Sequence, residues 1–565
     1  MRSRVVSRSG ATYLEVEGRL IPGAAYMTYF SEKNRYGDFA NAGYKLYSVS
    51  VFFGSNYVNN SSALECFSPG IFDGEAADFS RFDLDVRRIL EVSPDAMIFP
   101  RLNVNPPRGW DEDNPEELTD RGPRSRPEGR RPCLGSDSWA DWVKDHLRLF
   151  VEHIKESDFG NSIIGYQLAG GQTEEWFAYD ENCFIGKRSL EKYRRYLEEK
   201  GISDSERELY AFHARLCAER ICELCGYVKE LTGGEQAVGA FYGYTLELAD
   251  RKYAHHALGL MLERDEVDFI CSPISYCSPA SSEGRRGPAA DNVYMVPADS
   301  HKLHGKLYFL ECDSRTHLSK PPFEHPRFES PVWYGYPKEI TLELLLMHFS
   351  KCLVHGHSFW WFDMWGGWFA DGDYMEFMAR ALKLAEASVG LPMESLAEVA
   401  VFVDENAYFD LSDGETAERV VKKMRLTLGQ MGVPYDVYLA SDFERVRDRY
   451  KAYITLEPTG TELYAKIAEY ARAAGRLHLV INGDNANIST GELRDLLSSG
   501  GVSVISQRDA VIYYSESYLF VHTSEEGDYS LSLPFGITLY DAFTGKECDK
   551  SFKSERGRSY LFRLR

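Results

Sequence analysis

The chain alternates between short apolar runs and longer amphipathic stretches over most of its length. A short apolar run bounded by turn residues predicts a buried strand, and apolar residues three or four positions apart predict an amphipathic helix. Stretches of the helical kind cover 138–155 and 187–232. Strands that alternate with helices predict crossover units and a parallel sheet. The predicted strands cover 23–30, 46–53, 96–104, 163–168, 237–245, 267–272, 306–311 and 357–363.

These strands predict a (β/α)8 barrel over residues 23–392. The count closes at eight, and polar residues gather where the strands end, as they do at the catalytic face of such barrels. An open doubly wound sheet is the alternative architecture. Residues 1–22 precede the barrel, and the alternation in TYLEVEG predicts a β-hairpin entry.

The pattern restarts after the predicted barrel. Residues 393–510 again alternate strands with helices, which predicts a smaller, flavodoxin-like α/β domain. From 511 to 565 short strands are joined by turns of Gly, Asp and Ser, which predicts a small β-sandwich. The predicted strands of the α/β domain cover 398–404, 434–439, 450–456 and 476–482.

Two of the predicted barrel strands lead directly into carboxylates. The stretch 163–176, IIGYQLAGGQTEEW, passes from a strand through two glycines to Glu174 and Glu175, and 306–311, KLYFLE, ends in Glu311. Two strand-end carboxylates that face one pocket are the minimum apparatus for retaining glycoside hydrolysis. The alternative interpretation is that each acid is an ordinary loop charge or helix cap.

Composition narrows the classes of partner. The chain has 565 residues and a formal net charge of −22, which disfavours nucleic acid and anionic membrane surfaces. Aromatic residues make up 13% of the chain, enough for a large core and for stacking on sugars. No apolar run reaches the length of a membrane span, and the basic start lacks a signal-peptide core. The 11 cysteines, odd in number and scattered, fit reduced thiols. We therefore expect a cytoplasmic protein without metal or cofactor.

Several local motifs occur in a characteristic order along almost the whole chain. They are GAAY (23–26), PPRGW (106–110), RRPCLGS (130–136), GYQLAGGQTEEW (165–176), EVAVFVDENAY (398–408) and GVPYDV (432–437). Together with the three-part domain order, this set resembles the family 42 β-galactosidases of glycoside hydrolase clan A. The resemblance implies an exo-acting retaining β-glycosidase that acts on a carbohydrate. Because the family's second domain commonly mediates trimer formation, it also implies a homo-oligomer, with a trimer favoured.

The resemblance also implies roles for the carboxylates. Glu311 corresponds to the nucleophile on the seventh strand. Glu175 corresponds to the acid/base, if Glu-Trp is aligned with the family's Glu-Tyr, and Glu174 is the alternative. Glu174 takes the place of the family's Asn, which reads the substrate's 2-hydroxyl. We expect the carboxyl groups of Glu311 and Glu175 to lie roughly 5–5.5 Å apart, and we expect Glu174 to point elsewhere.

Polar and aromatic residues at the strand ends are the predicted sugar contacts. Arg101 and Arg315 could also keep Glu311 ionised, because a nearby cation lowers the pKa of a carboxyl group. Tyr244 is a further candidate near the end of the fifth strand. The predicted substrate-binding residues are Arg101, Asn103, Trp110, Trp176, Tyr242, Tyr276, Asp313, Arg315, His317, Trp361, Asp363 and Trp365.

The chain departs from the family at sugar contacts. Its eighth strand reads FDMW (362–365) where the family has Phe-Arg-Trp, and the zinc-binding cysteine cluster of some members is absent. Another sugar, such as a β-glucoside, β-arabinoside or β-mannoside, is therefore an alternative substrate. A catalytically silent sugar-binding protein is a second alternative. A metal-dependent barrel hydrolase is a third; histidines are available for it at 301, 304, 317, 355 and 357, but they lack HExxH spacing.

Overall fold

The computed structural model describes residues 1–55, 69–107, 109–121, 130–171, 174–178, 183–275, 293–320, 335–412 and 414–565. Three antiparallel strands open the chain: β1 (Ser3–Arg8), β2 (Ala11–Val16) and β3 (Arg19–Ile21). The Ser3 hydroxyl accepts from the Ala237 backbone N–H at 2.9 Å, and Thr12 N–H donates to the Gly356 carbonyl at 3.1 Å. Both partners lie where barrel strands begin, so this sheet covers the N-terminal end of the barrel.

Eight parallel strands form a closed barrel, which confirms the predicted architecture and excludes the open sheet. Most observed strands are shorter than predicted. The fifth stops at Phe241, because Gly243 adopts a φ of +81° and turns the chain out of the sheet. The barrel strands are β4 (Ala24–Thr28), β5 (Leu46–Phe52), β6 (Met97–Asn103), β8 (Gly165–Ala169), β10 (Ala237–Phe241), β11 (Phe269–Pro273), β12 (Leu307–Cys312) and β13 (Ser358–Phe362). A separate antiparallel pair is formed by β7 (Asp120–Arg121) and β9 (Cys183–Phe184).

Helices surround the barrel. Ser136 caps the long helix α4 by accepting from the Trp139 N–H at 3.0 Å, as N-cap serines do. Gly356 ends α9 with a φ of +69°, the left-handed geometry that glycine favours. The helices are α1 (Tyr36–Asn41), α2 (Ser80–Val92), α3 (Trp110–Asp113), α4 (Asp137–Glu156), α5 (Lys187–Lys200), α6 (Glu206–Leu231), α7 (Leu258–Leu262), α8 (Ala298–Leu303), α9 (Lys338–His355) and α10 (Gly372–Ser388). Among the described helices, none combines the length and the apolar character that a membrane crossing requires.

A second sheet follows, with four parallel strands in the order β15-β14-β16-β17. Its strands are β14 (Val399–Val403), β15 (Tyr435–Leu439), β16 (Ala452–Leu456) and β17 (Leu477–Ile481). Its helices are α11 (Glu415–Ala417), α12 (Met424–Gln430), α13 (Phe443–Val446), α14 (Glu462–Ala473) and α15 (Thr490–Ser499), with a π-helical stretch, Glu418–Lys423, between α11 and α12.

This α/β domain docks on the barrel through backbone groups. The Glu405 carboxylate accepts from Leu258 N–H and Gly259 N–H at 2.5 and 3.0 Å. Asp299 accepts from Val437 N–H at 2.9 Å, so the outer edge of β15 is paired by a barrel side chain. The Tyr408 hydroxyl also donates to the Thr245 carbonyl, so the loop that follows β10 is held against the second domain.

The C-terminal part is antiparallel. A five-stranded sheet has the order β18-β19-β24-β21-β22, and β20 pairs with β23. Helix α9 lies between barrel strand β13 and this sheet, and Glu343 on α9 accepts from Ser559 N–H at 2.7 Å. The strands are β18 (Ala510–Tyr514), β19 (Tyr518–Thr523), β20 (Gly527–Ser530), β21 (Leu539–Asp541), β22 (Glu547–Cys548), β23 (Ser551–Ser554) and β24 (Ser559–Leu564).

Candidate active site

A buried arginine occupies the centre of the barrel near its C-terminal end. Side chains alternate along a strand, so the residues of β6 that share the interior face are Phe99, Arg101 and Asn103. Arg101 is 1% exposed, and its guanidinium carbon lies 4.7 Å from the centre of the Phe241 ring and 5.4 Å from that of Trp360. The barrel interior below it is filled by aromatic rings, as in the contact of Phe99 with Phe309 at 5.3 Å. This layer is the floor of the candidate site.

Arg101 binds the predicted nucleophile. Its Nη2 donates to Glu311 Oε2 at 2.6 Å, and Glu311 is 4% exposed at the end of β12. The expectation that Arg101 lies beside Glu311 is confirmed. Arg101 Nε also donates to Gln167 Oε1 at 3.2 Å, which fixes the plane of the guanidinium between β8 and β12.

Glu174 lies on the other side of the same guanidinium. Its Oε2 is 3.7 Å from Arg101 Nη1 and accepts a hydrogen bond from the Tyr29 hydroxyl, which itself accepts from Arg101 Nη1 at 3.0 Å. The expectation that Glu174 points elsewhere is therefore wrong. Its backbone has a φ of +64°, a left-handed geometry that is uncommon for a residue other than glycine and that turns the side chain into the barrel.

The pKa values of both carboxyl groups are raised. Burial raises the pKa of Glu311 to about 7, although Arg101 opposes that shift. Burial also raises the pKa of Glu174, again against the effect of Arg101 and of the Tyr29 hydrogen bond. Burial disfavours the charged form of Arg101, but Tyr29, Glu311 and Glu174 outweigh it and leave the pKa of the guanidinium above its ordinary value. The result is a buried site in which a guanidinium lies between two carboxyl groups.

Glu175 faces a different partner. The Tyr244 hydroxyl donates to Glu175 Oε1 at 3.0 Å, and Glu175 is half-buried whereas Glu174 is fully buried. Tyr244 belongs to the loop after β10, which the second domain holds. Glu175 is thus the more accessible of the two neighbouring acids.

Trp176 anchors the loop that carries both acids. Its indole N–H donates to the Leu168 carbonyl at 3.1 Å, and a Cβ placed on Gly170 would lie only 3.0 Å from its ring. Asn105 exchanges two hydrogen bonds of 3.1 Å with Gly171. Trp176 is 2% exposed and packs beside Trp139, so it supports the loop from behind.

Other predicted contacts lie outside the barrel interior. Trp361 donates to the Tyr44 hydroxyl at 2.7 Å, and it contacts Phe377 on α10. The Tyr242 hydroxyl donates to the carbonyls of Ala214 and Ala254 at 3.0 and 2.8 Å. Both side chains are on the helix-facing side of their strands.

Asp363 accepts hydrogen bonds from residues on both sides of it in the chain. Asp363 is fully buried and accepts from the Tyr26 hydroxyl at 2.9 Å, from Gly367 N–H at 2.9 Å and from Trp368 N–H at 2.8 Å. Burial raises the pKa of Asp363 to about 6. Trp365 is 1% exposed and packs edge-on against Trp368.

The residues after β12 make their own contacts. Arg315 donates to Asp313 Oδ2 at 3.1 Å and lies over the Trp368 ring at 5.7 Å. The His317 ring contacts the Tyr374 hydroxyl at 2.6 Å. Asn103 is fully buried and lies close enough to Glu174 to favour its ionised form. Trp110 is half-buried at the start of α3, and Tyr276 lies outside the described residues.

The structure adds interior residues that the sequence reasoning did not select. Tyr29, Gln167, Phe241 and Trp360 all contact Arg101. Strand alternation identifies them only once the inward-facing parity of each strand is known, because each of them shares that parity.

No protein-family model matches the sequence, and no curated protein is significantly similar to it. Solved structures do share its fold. A β-galactosidase from Bacillus circulans sp. alkalophilus superimposes with a TM-score of 0.66 at 13% identity, covering 96% of this chain and 98% of that chain. A GH42 β-galactosidase from G. stearothermophilus gives 0.63 at 12% identity, with coverage of 96% and 98%. A GH42 exo-carrageenase from Bacteroides ovatus gives 0.60 at 11% identity, with coverage of 99% and 84%. The chain therefore shares the fold of the GH42 glycoside hydrolases over nearly its whole length.

Proposed function

We propose that the protein is a retaining, exo-acting β-glycosidase, similar to the β-galactosidases. The observation that carries the proposal is the gathering of strand-end carboxyl groups at one end of the barrel: Arg101 holds Glu311 at 2.6 Å and Glu174 at 3.7 Å, and Glu175 follows Glu174 in the same loop. Retaining glycosidases use two carboxyl groups on opposite sides of the scissile bond. The acids are at the C-terminal end of a closed barrel, where such barrels carry their active sites.

In this proposal Glu311 is the nucleophile. Its carboxylate attacks the anomeric carbon, the bond to the leaving oxygen breaks, and a covalent glycosyl-enzyme forms; water then cleaves that ester. The attack requires the ionised form of Glu311. Arg101 favours that form, and its fixed position against Gln167 orients the carboxylate.

Glu175 is the proposed acid/base, with Glu174 as the alternative. The acid protonates the leaving oxygen and later removes a proton from water, so it must exchange protons with solvent. Glu175 is half-buried, whereas Glu174 is 0% exposed and has one oxygen bonded to Tyr29. This difference in access favours Glu175. Glu174, together with Asn103, is then proposed to contact the sugar beside the anomeric carbon.

The solved structures of similar fold include β-galactosidases and an exo-carrageenase, so one architecture accompanies different substrates. We propose a β-galactoside as substrate, with another β-linked sugar as the alternative. The proposed contacts nearest the acids are Arg101, Asn103, Asp313 and Arg315.

A panel of nitrophenyl glycosides in both anomeric series tests the proposal. We expect turnover of one or more β-glycosides, release of single sugar units, and a first product with retained configuration by proton NMR. The Glu311→Ala variant, checked for folding by circular dichroism, is the negative control. Binding of sugars by calorimetry without turnover of any glycoside would contradict the proposal and favour a silent sugar-binding protein.

A further inference from the structure

A buried cluster of three potential metal ligands lies where the barrel meets the second domain. Asp299 is on α8, His355 is the last residue of α9, and Asp436 is on β15. Each offers a ligand atom, and these atoms all lie within 4.8 Å of one another. The three residues are 3%, 7% and 1% exposed. None of them takes part in the candidate active site.

The two carboxyl groups of this cluster are buried close to each other. Asp299 has a cation nearby, since Lys302 Nζ is 3.3 Å from its Oδ1. Asp436 has none within ion-pair distance in the described part of the chain. In the described residues its oxygens accept hydrogen bonds from two neutral hydroxyls, those of Ser395 at 2.7 Å and Tyr450 at 2.5 Å, while Lys302 and Arg449 act on it from beyond ion-pair distance. Two carboxylates buried side by side repel each other, so a metal ion between them would stabilise the fold.

A second buried histidine, His357, lies next to His355. His355 and His357 are separated by Gly356, and their rings are nearly parallel, 6.4 Å apart at an angle of 10°. His357 is 8% exposed, and neither of its ring nitrogens has a hydrogen-bond partner. Buried polar atoms are almost always paired, so an unpaired imidazole next to His355 points to a missing partner.

The donor set identifies the class of ion. One imidazole with two carboxylates suits Zn²⁺ and similar divalent transition metals, whereas Mg²⁺ and Ca²⁺ prefer oxygen ligands alone. We propose that Asp299, His355 and Asp436 bind one divalent transition-metal ion of the zinc class. The ion would link the barrel to the α/β domain and have a structural role.

Metal analysis of the full-length protein tests the proposal. The protein is stripped with EDTA, equilibrated with Zn²⁺, freed of excess metal and measured by plasma mass spectrometry. We expect about one zinc per chain and a rise in Tm of at least about 2 °C over the stripped protein, because a ligand that binds only the folded state stabilises it. Less than one zinc per ten chains, with no change in Tm, would overturn the proposal.

Two variants and a matched control locate the ion. Asp436→Asn and His355→Gln should each weaken zinc binding at least about tenfold, since metal sites lose this much even when only supporting residues change. His304→Gln should leave binding unchanged, although it removes another contact across the same interface, from His304 Nε2 to Asp442 at 2.8 Å.

Cobalt gives a measurement that does not depend on the variants. Co²⁺ in the wild-type site should show the visible absorption of nitrogen and oxygen ligation at low coordination number. Intense thiolate charge-transfer bands would place the ion on cysteines and would overturn the assignment. Equal zinc binding by wild type, Asp436→Asn and His355→Gln would overturn it as well.

Discussion

Arg101 donates to Glu311 across 2.6 Å from inside a ring of aromatic side chains. Two opposing effects therefore act on one carboxyl group. Removal from water favours its protonated form, and the adjacent guanidinium favours its ionised form. Burial has the larger effect, because the pKa of Glu311 is raised to about 7. A nucleophile with this acidity makes the proposed reaction sensitive to pH near neutrality.

The acid limb of the pH profile should report this balance. Since Glu311 must be ionised to attack and its pKa is raised to about 7, kcat/KM should fall about tenfold per pH unit below about pH 7. Arg101→Gln should move that limb to higher pH by roughly one unit or more, because a cation beside a carboxyl group lowers its pKa by about this amount. Initial rates of a nitrophenyl glycoside, measured from pH 4 to 9, give the acid limb of the wild type and that of the variant.

Arg425→Gln is the matched control for Arg101. Arg425 is also buried and paired with a glutamate, Glu247, at 2.7 Å, but at the contact with the second domain. Its removal should leave the limb in place. A wild-type limb below pH 5 would contradict the assignment of Glu311 as a nucleophile with a raised pKa.

Removal of the nucleophile should stop turnover altogether. Glu311→Ala eliminates the atom that forms the glycosyl-enzyme, so no substrate should react at a detectable rate, whatever its leaving group. Tm and circular dichroism should show that the variant folds. Retention of more than about one-hundredth of wild-type kcat would exclude Glu311 as the nucleophile.

The two neighbouring acids can be separated by their kinetics. Loss of a general acid costs about 10²–10⁴-fold for poor leaving groups but little for good ones, which need no protonation. We therefore expect Glu175→Ala to keep the first step with dinitrophenyl glycosides and to accumulate the glycosyl-enzyme. Azide should then restore turnover and give a β-glycosyl azide, because the anion needs no general base.

Glu174→Ala is the natural comparison, since it removes the adjacent carboxyl group. It should lower kcat/KM for all leaving groups to a similar degree and show no azide rescue, because its proposed role is to contact the sugar and Arg101. If Glu174→Ala shows the rescue and Glu175→Ala does not, the roles are reversed. Mass spectrometry of the intact protein detects the trapped intermediate in either case.

The barrel could be predicted from sequence because its strands are short apolar runs at regular intervals. Which side chains of each strand point into the barrel could not be predicted. In β13 the sequence SFWWF is buried on both faces, so hydrophobicity does not distinguish Trp360, which contacts Arg101, from Trp361, which faces the helices. Parallel barrel strands lack the polar alternation that would reveal their register.

The direction of the Glu174 side chain could not be predicted from the sequence either. Glu174 and Trp176 both have a positive φ, at 64° and 62°. Neither residue type favours that geometry, so no local propensity indicates it. The loop adopts it because Trp176 packs against Gly170 and bonds to Leu168, contacts that exist only in the folded barrel.

The oligomeric state is a prediction that rests on the resemblance to the family. We expect light scattering to give three times the 64.3 kDa of one chain. Measurement over a hundredfold range of concentration separates a stable trimer from weak association. A mass near that of one chain at all concentrations would contradict the prediction.

The burial of Asp363 should make the free energy of unfolding depend on pH. Its pKa is raised from an ordinary 3.8 to about 6, so the folded state holds a proton that the unfolded state releases. The corresponding stability is present below pH 3.8 and is lost as pH rises through about 6. Each pKa unit is worth about 1.4 kcal/mol, so the loss amounts to about 3 kcal/mol. Asp363→Asn cannot ionise, so the free energy of unfolding of wild type minus variant should fall by about this amount between pH 3.5 and 7, measured by urea unfolding.

Asp95→Asn, which removes an exposed carboxylate paired with Lys45, should show no such trend. A difference that does not change with pH for Asp363→Asn would show that folding does not raise the pKa of this carboxyl group.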